Sequence, residues 1–257
     1  MATENSGVVF DPMHQFEIVR ILPLNIGGLD VSFTNSALYM LMIVGLISLF
    51  TIASMSGRAL VPGRLQSLAE LSYEFIANMV RQNAGTEGMK FFPFIFSLFM
   101  FVLFANMLGM IPYSYIVTSH IIITFALAMA VFLLVTVYGF VRNGPGFLRL
   151  FVPSGIPMVL LPLITVIELI SFLARPITLS VRLFANMLAG GVMLKVFAGF
   201  VIMMGVAGTV SGIVGAVLPL ALMVAFTALK VLVAFLQAYV FAILSCIYLN
   251  DAIHVDH

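Results

Sequence analysis

The chain alternates between long apolar runs and short polar breaks. The first 35 residues are mixed; FDPMHQFEIVRILPL reads as a short amphipathic or irregular lead-in. An apolar run over 37–55 then ends at Gly57, Arg58 and Arg64. From Gln66 to Lys90, Glu70, Glu74, Arg81, Glu87 and Lys90 are spaced among apolar residues, which predicts an amphipathic helix at a membrane interface. Apolar runs follow over 91–111, closed by Pro112, and over 121–141, closed by Arg142, Asn143, Gly144 and Pro145. The last hundred residues hold two long apolar stretches, 156–204 and 216–249, divided by the Gly-rich segment 205–215. Pro176 and Gly190–Gly191 are candidate bend points in the first of these.

The run lengths near 20 residues, without alternation, predict helices rather than a closed barrel. Two stretches exceed the ~20 residues that a perpendicular span needs, so strong tilt is expected. The predicted architecture is an all-α integral membrane protein with a single membrane domain over 1–257. It has about five transmembrane helices, an interfacial amphipathic helix and a long tilted C-terminal helical hairpin. Composition agrees: 63% of the 257 residues are apolar, 8% are charged and mean hydropathy is +1.21. A soluble fold carries about 25% charged residues to cover its surface.

Lys and Arg in short loops set the expected orientation. Arg58, Arg64, Arg81 and Lys90 fall on one side, and Arg142 and Arg149 return to it two crossings later. That side is predicted to be cytoplasmic, with residues 1–35 outside and the C-terminal DAIHVDH inside. No basic start followed by an apolar h-region is seen, so no cleaved signal is expected. Net charge is +1, which implies nothing about nucleic acid, and no nucleic-acid partner is expected; the single cysteine, Cys246, excludes an internal disulfide. No phosphate-binding loop, dinucleotide fingerprint, nucleophile elbow or metal-ligand spacing is present. His14, His120, His254 and His257 are scattered, and no metal or cofactor is expected.

Chemistry therefore rests on polar residues inside apolar helix. Between 156 and 249 only Glu168, Arg175, Arg182, Lys195 and Lys230 are charged. A charge at mid-bilayer costs about 2.5–3.5 kcal/mol on insertion scales, so such residues are retained for pairing or for function. Thr178 and Asn186 lie four residues on either side of Arg182, each about 40° from it around a helix. Arginine stays charged, so Arg182 needs an anion or water beside it. Glu168 within the chain is one source, but it lies 14 residues away, about 21 Å along a straight helix. Snorkelling to the interface is another outcome. On the last stretch Lys230, Gln237 and Tyr248 fall within about 20° of one azimuth. The strip suggests a partner for Arg182 in Gln237, or ordinary interhelical bonding, and for Tyr248 an interfacial anchor. Asn106 near the end of the second span reads as a packing residue or a path residue, Glu168 as a protonatable group or a neutral acid, and Lys195 as a snorkelling lysine. Two facing polar strips with one fixed cation suit an ion-translocating protein whose mobile anion belongs to another chain. A self-contained secondary transporter is the alternative, but it requires repeat-related broken helices that are not seen. A structural scaffold is a further one.

The segments RLFANMLAGG and LQAYVFAILSCIYLNDAIH, together with FDPMHQFEI near the start, resemble subunit a of the F-type ATP synthase membrane sector. The likeness is to alphaproteobacterial and mitochondrial members and covers nearly the whole chain. It implies a non-catalytic, proton-translocating stator subunit of a bacterial inner membrane, facing a rotating c-ring and held by peripheral-stalk subunit b. It implies two half-channels separated by Arg182, with Gln237 beside the arginine. Thr178, Asn186, Glu168 and Tyr248 match positions of the cytoplasmic-side path, and Asn106 a polar position of the outer path. Two positions depart from the family pattern. Gly191 stands where the family usually has an acid or histidine, and Lys230 where it has a histidine or glutamate. Gly109 stands where some members carry an acid. In this chain either Lys230 serves the outer path or water alone does.

Overall fold

The computed structural model describes residues 16–23, 25–26, 29–30, 32–56, 63–111, 114–152, 160–206 and 210–253. Six helices carry the architecture: α1 (Asn35–Met55), α2 (Arg64–Gly88), α3 (Phe92–Leu108), α4 (Ile121–Asn143), α5 (Leu161–Val206) and α6 (Val210–Ile253). Before them, β1 (Arg20–Leu22) pairs antiparallel with β4 (Phe33–Thr34), enclosing the pair β2 (Asn25–Ile26) and β3 (Leu29–Asp30). The lead-in expected to be amphipathic or irregular thus contains short paired strands. Asn35 joins them to α1: its Nδ2 donates to the Glu17 carbonyl at 3.0 Å, and its Oδ1 accepts from Val19 N at 3.2 Å. Thr34 caps α1 by accepting from Ala37 N.

Five helical stretches are long and apolar enough to cross a membrane: 35–55, 64–108, 121–148, 161–206 and 211–253. The run expected over 121–141 is helical over 121–143, the run expected over 156–204 is helical from Leu161 to Val206 with 153–159 outside the described residues, and the first helix starts two residues early. Leu161–Val206 is 46 residues long and continues through Pro176, so the bend point at that proline does not end the helix. The Gly-rich divider is shorter than its composition suggests. Val210 to Gly215 already belong to α6, and Gly215 packs against the Met204 sulfur across the hairpin. In lipid every backbone group needs an internal partner, which holds glycines in helix that water would release.

The α2 helix is the predicted amphipathic one. Glu70, Glu74 and Arg81 are exposed while Ile76, Ala77, Val80 and Ala84 are buried. It turns back on α3 through Gly85, whose φ of 68° suits glycine. Tyr73 then meets Phe92, with ring centroids 4.6 Å apart, and Phe75 meets Tyr239 of α6 at 5.7 Å. The α6 helix enters this core through a stripe of small residues, Ala234, Ala238, Ala242 and Cys246, all fully buried. Small side chains at four-residue spacing bring helix backbones close where lipid supplies no hydrophobic drive.

Polar contacts define two ends of the bundle. At one end Arg142 of α4 ion-pairs with Glu87, Asn143 Nδ2 donates to the Ala252 carbonyl at 2.8 Å, and Arg175 meets Asp251 at 2.9 Å. At the other end the turn 114–120 leads into α4. Thr118 Oγ1 donates to Asn106 Oδ1 at 3.0 Å, and Ile116 lies against Gly191.

Candidate functional site

The α5–α6 hairpin runs antiparallel with a register fixed by four contacts. From the Arg142 end these are Arg175 with Asp251, Asn186 with Gln237, Gly190 with Lys230 and Phe197 with Phe226. Arg182 falls between the first two. It lies seven residues from Arg175 and nine from Gly191, about 10 Å and 14 Å along the helix axis. It is therefore well inside the helix, between the two ends of the bundle.

The side chain of Arg182 is exposed, as are those of Ala185, Asn186 and Ala189, whereas Leu179, Ser180, Leu183 and Met187 of the same turns are buried. The α6 helix continues this exposed face with Val231, Leu232, Phe235 and Leu236. Arg182 makes no hydrogen bond or ion pair among the described residues. Arg142 and Arg175, by contrast, are ion-paired to Glu87 and Asp251. Internal pairing with Glu168 does not occur, because α5 runs unbroken between the two positions and keeps them about 21 Å apart. A cation on an apolar surface needs water or an anion beside it, and no anion of the described residues pairs with Arg182.

Beside it, Asn186 Nδ2 donates to Gln237 Oε1 at 3.0 Å, which brings the two polar strips together one turn from Arg182. Gln237 is 4% exposed, and its Nε2 has no hydrogen-bond partner among the described residues. An unmet buried donor costs about 1–3 kcal/mol. A buried water would recover that cost.

The remaining polar positions divide between the two ends. Thr178 donates its hydroxyl to the Arg175 carbonyl at 3.0 Å. Tyr248 is half-buried, with the Arg175 guanidinium 4.8 Å above its ring. Glu168 lies a further seven residues out, about 10 Å beyond Arg175 on that side. On the other side Asn106 is fully buried. It accepts from Thr118, and its Nδ2 donates to the Ala234 carbonyl of α6 at 3.4 Å, so it brackets α3, the turn and α6. Lys230 is 7% exposed, with its methylene stem 3.5 Å from where a Cβ on Gly190 would stand. Gly191 is pressed by Ile116 and Phe16, each 3.0 Å from its missing Cβ, so a larger residue at 191 would require these side-chain tips to shift. Lys195 sits over the Phe16 ring at 5.7 Å. His14, His254 and His257 lie outside the described residues.

The Arg175–Asp251 bridge was not anticipated from sequence. Its partners are 76 positions apart, and only an antiparallel register carried from the Asn186–Gln237 level would have aligned them. The buried pair Thr124–Ser180, at 3.1 Å between α4 and α5, was also missed, because single hydroxyls in apolar helix look alike whichever way they face.

Residues 37–250 match the family model described as ATP synthase A chain. The chain is 61% identical over 247 residues to ATP synthase subunit a of Mesorhizobium japonicum, covering 96% of this chain and 98% of that one. It is 62% identical over 247 residues to the protein of that name from Chelativorans sp., covering 96% and 99%. With ATP synthase subunit a of Parvibaculum lavamentivorans the identity is 61% over 251 residues, covering 98% and 96%.

Proposed function

This chain belongs to the ATP synthase A chain family, and on that premise we propose that it is the proton-path stator subunit of a bacterial inner-membrane ATP synthase. In this reading it catalyses nothing by itself. It borders a rotating ring of c subunits, is held by peripheral-stalk subunit b, and couples proton flow to ATP synthesis made elsewhere in the complex. The Arg142–Asp251 end is cytoplasmic and the turn 114–120 is outside.

The observation that carries this reading is the exposed, unpaired Arg182 on an apolar hairpin face. A ring carboxylate passing that face meets a cation that cannot discharge. An opposite charge at close range favours the ionised acid, so the carboxyl gives up its proton as it arrives. The same charge repels protons moving directly along the hairpin, which keeps an outer and an inner half-path apart. Gln237 and Asn186 form the adjoining polar rung, and the unmet Gln237 amide supports a hydrogen bond to the visiting carboxylate. Thr178, Glu168 and Tyr248 line the way from that level to the cytoplasmic end, and Asn106 lies toward the outer one. Lys230, alongside Gly190, serves the outer half-path. A Lys230→Ala variant is expected to lower proton flux severalfold, and an unchanged flux would take the lysine out of the path.

The decisive test is ATP-driven proton pumping in inverted membrane vesicles carrying Arg182→Ala. If the arginine supplies about 3 kcal/mol, pumping falls by about a hundredfold or more while the complex still assembles. Normal pumping with a fully incorporated variant would refute the proposal.

A further inference from the structure

Between α3 and α4 a packed segment leads up to His120, which is itself only partly buried. Ser114, Tyr115, Ile116, Val117, Thr118 and Ser119 are all buried. Two polar pairs lead inward from it. Thr118 meets Asn106 at 3.0 Å, and one turn into α4 Thr124 meets Ser180 of α5 at 3.1 Å. His120 stands between these pairs in the chain, at the N-cap of α4. Its imidazole stacks on Tyr115, with centroids 5.2 Å apart and planes 17° from parallel. Its Nε2 is buried and has no hydrogen-bond partner among the described residues. Tyr115 packs in turn against the Tyr39 ring of α1, with centroids 5.8 Å apart.

A stacked imidazole is fixed in plane, so its free nitrogen points in one direction. An unmet buried nitrogen at the start of two inward polar pairs has a use if water reaches it and a proton is exchanged there. Of Lys195, Lys230 and His120, all on this side of Arg182, only the imidazole has an ordinary titration range near neutral pH. The titratable group in contact with it is Tyr115, with Tyr39 behind. Burial alone moves the imidazole, holding it below its usual 6.5, with no charged side chain among the described residues acting on it.

We propose that His120 is the proton-exchanging group at the outer mouth of the path, held in plane by Tyr115. Nδ1 accepts a proton from outer water to give imidazolium, and buried Nε2 releases its own proton inward to water near Thr118 and Asn106, leaving a neutral ring. The proposal rests on the reading of the chain as a proton-path subunit. Tyr115 is a positioning residue and His120 the residue that carries the proton.

The test uses the assembled complex in membranes, with ATP synthesis followed against outer pH at constant driving force. His120→Gln keeps a hydrogen-bonding side chain and removes titration. We expect about a tenfold lower rate and a flattened dependence on outer pH below neutrality. His120→Gly is expected to lose activity and regain part of it when imidazole is added outside. A His120→Gln rate and pH profile matching the parent would overturn the proposal. So would an equal loss at every pH with no imidazole rescue, which marks a structural role. Arg182→Ala run in parallel separates the two levels: if it still pumps, the proton-path reading fails, whatever His120 does.

Discussion

Arg175 and Arg182 are two turns apart on one helix, in nearly the same apolar sequence context, and the protein treats them in opposite ways. Arg175 is enclosed by its own chain. Asp251 pairs with it at 2.9 Å, and the rings of Tyr248 and Phe172 lie 4.8 and 5.3 Å from its guanidinium. Arg182 has no hydrogen-bond or ion-pair partner among the described residues and faces outward beside alanines. A cation satisfied internally fastens α5 to the end of α6. A cation left open in an apolar face fastens nothing within the described chain, and in the proposed reading it awaits a partner. The contrast shows that charge inside a membrane helix does not by itself mark a functional site; the surrounding partners decide.

That contrast can be broken at several points. The largest effect is expected at Arg182. Arg182→Lys keeps the charge but loses the planar fork and the reach of guanidinium, so ATP-driven pumping is expected to fall more than tenfold, with the alanine variant lower still. Gln237→Leu comes next. It removes the amide from the rung beside Arg182, and a loss of about tenfold in pumping corresponds to about 1.4 kcal/mol, within the range of one buried hydrogen bond. Arg175→Ala should act differently in kind. Thermal unfolding of the solubilised complex is expected to show a loss of about 1–3 kcal/mol, because Asp251 is left partly buried without its partner. Pumping per assembled complex should stay near normal. A double variant, Arg175→Ala with Asp251→Ala, should cost less than the sum of the single changes, since the two act as a unit. Were Arg175→Ala to abolish pumping with full assembly, the division between the two arginines would be lost.

The sequence showed the spans and the interfacial helix plainly, because lipid makes long apolar runs unambiguous and charges mark where they stop. It also showed Arg182, Asn186 and Gln237 as members of two strips, since helical spacing alone puts residues on a face. It did not show where the hairpin turns. Gly205, Gly208, Gly212 and Gly215 suggest a loop by the habits of soluble proteins, whereas in lipid the helix resumes at Val210. Nor did it show which residues meet across elements. Phe16 against Gly191, Tyr115 over His120 and Arg175 on Asp251 depend on register and on side-chain direction, and neither is written in spacing along one element. Asn106 was legible as a polar residue in a span, while its bracket to Thr118 and Ala234 needed the fold.

The central claim is that the Arg182 guanidinium is met by a carboxylate from another polypeptide. An experimental structure of the membrane sector in lipid, at a resolution that shows side chains, tests it most directly. The account predicts a ring carboxylate opposite Arg182, or a water held between the two, with Gln237 adjoining. An acidic group of this same chain paired with Arg182, or that face covered only by lipid with the ring elsewhere, would contradict it.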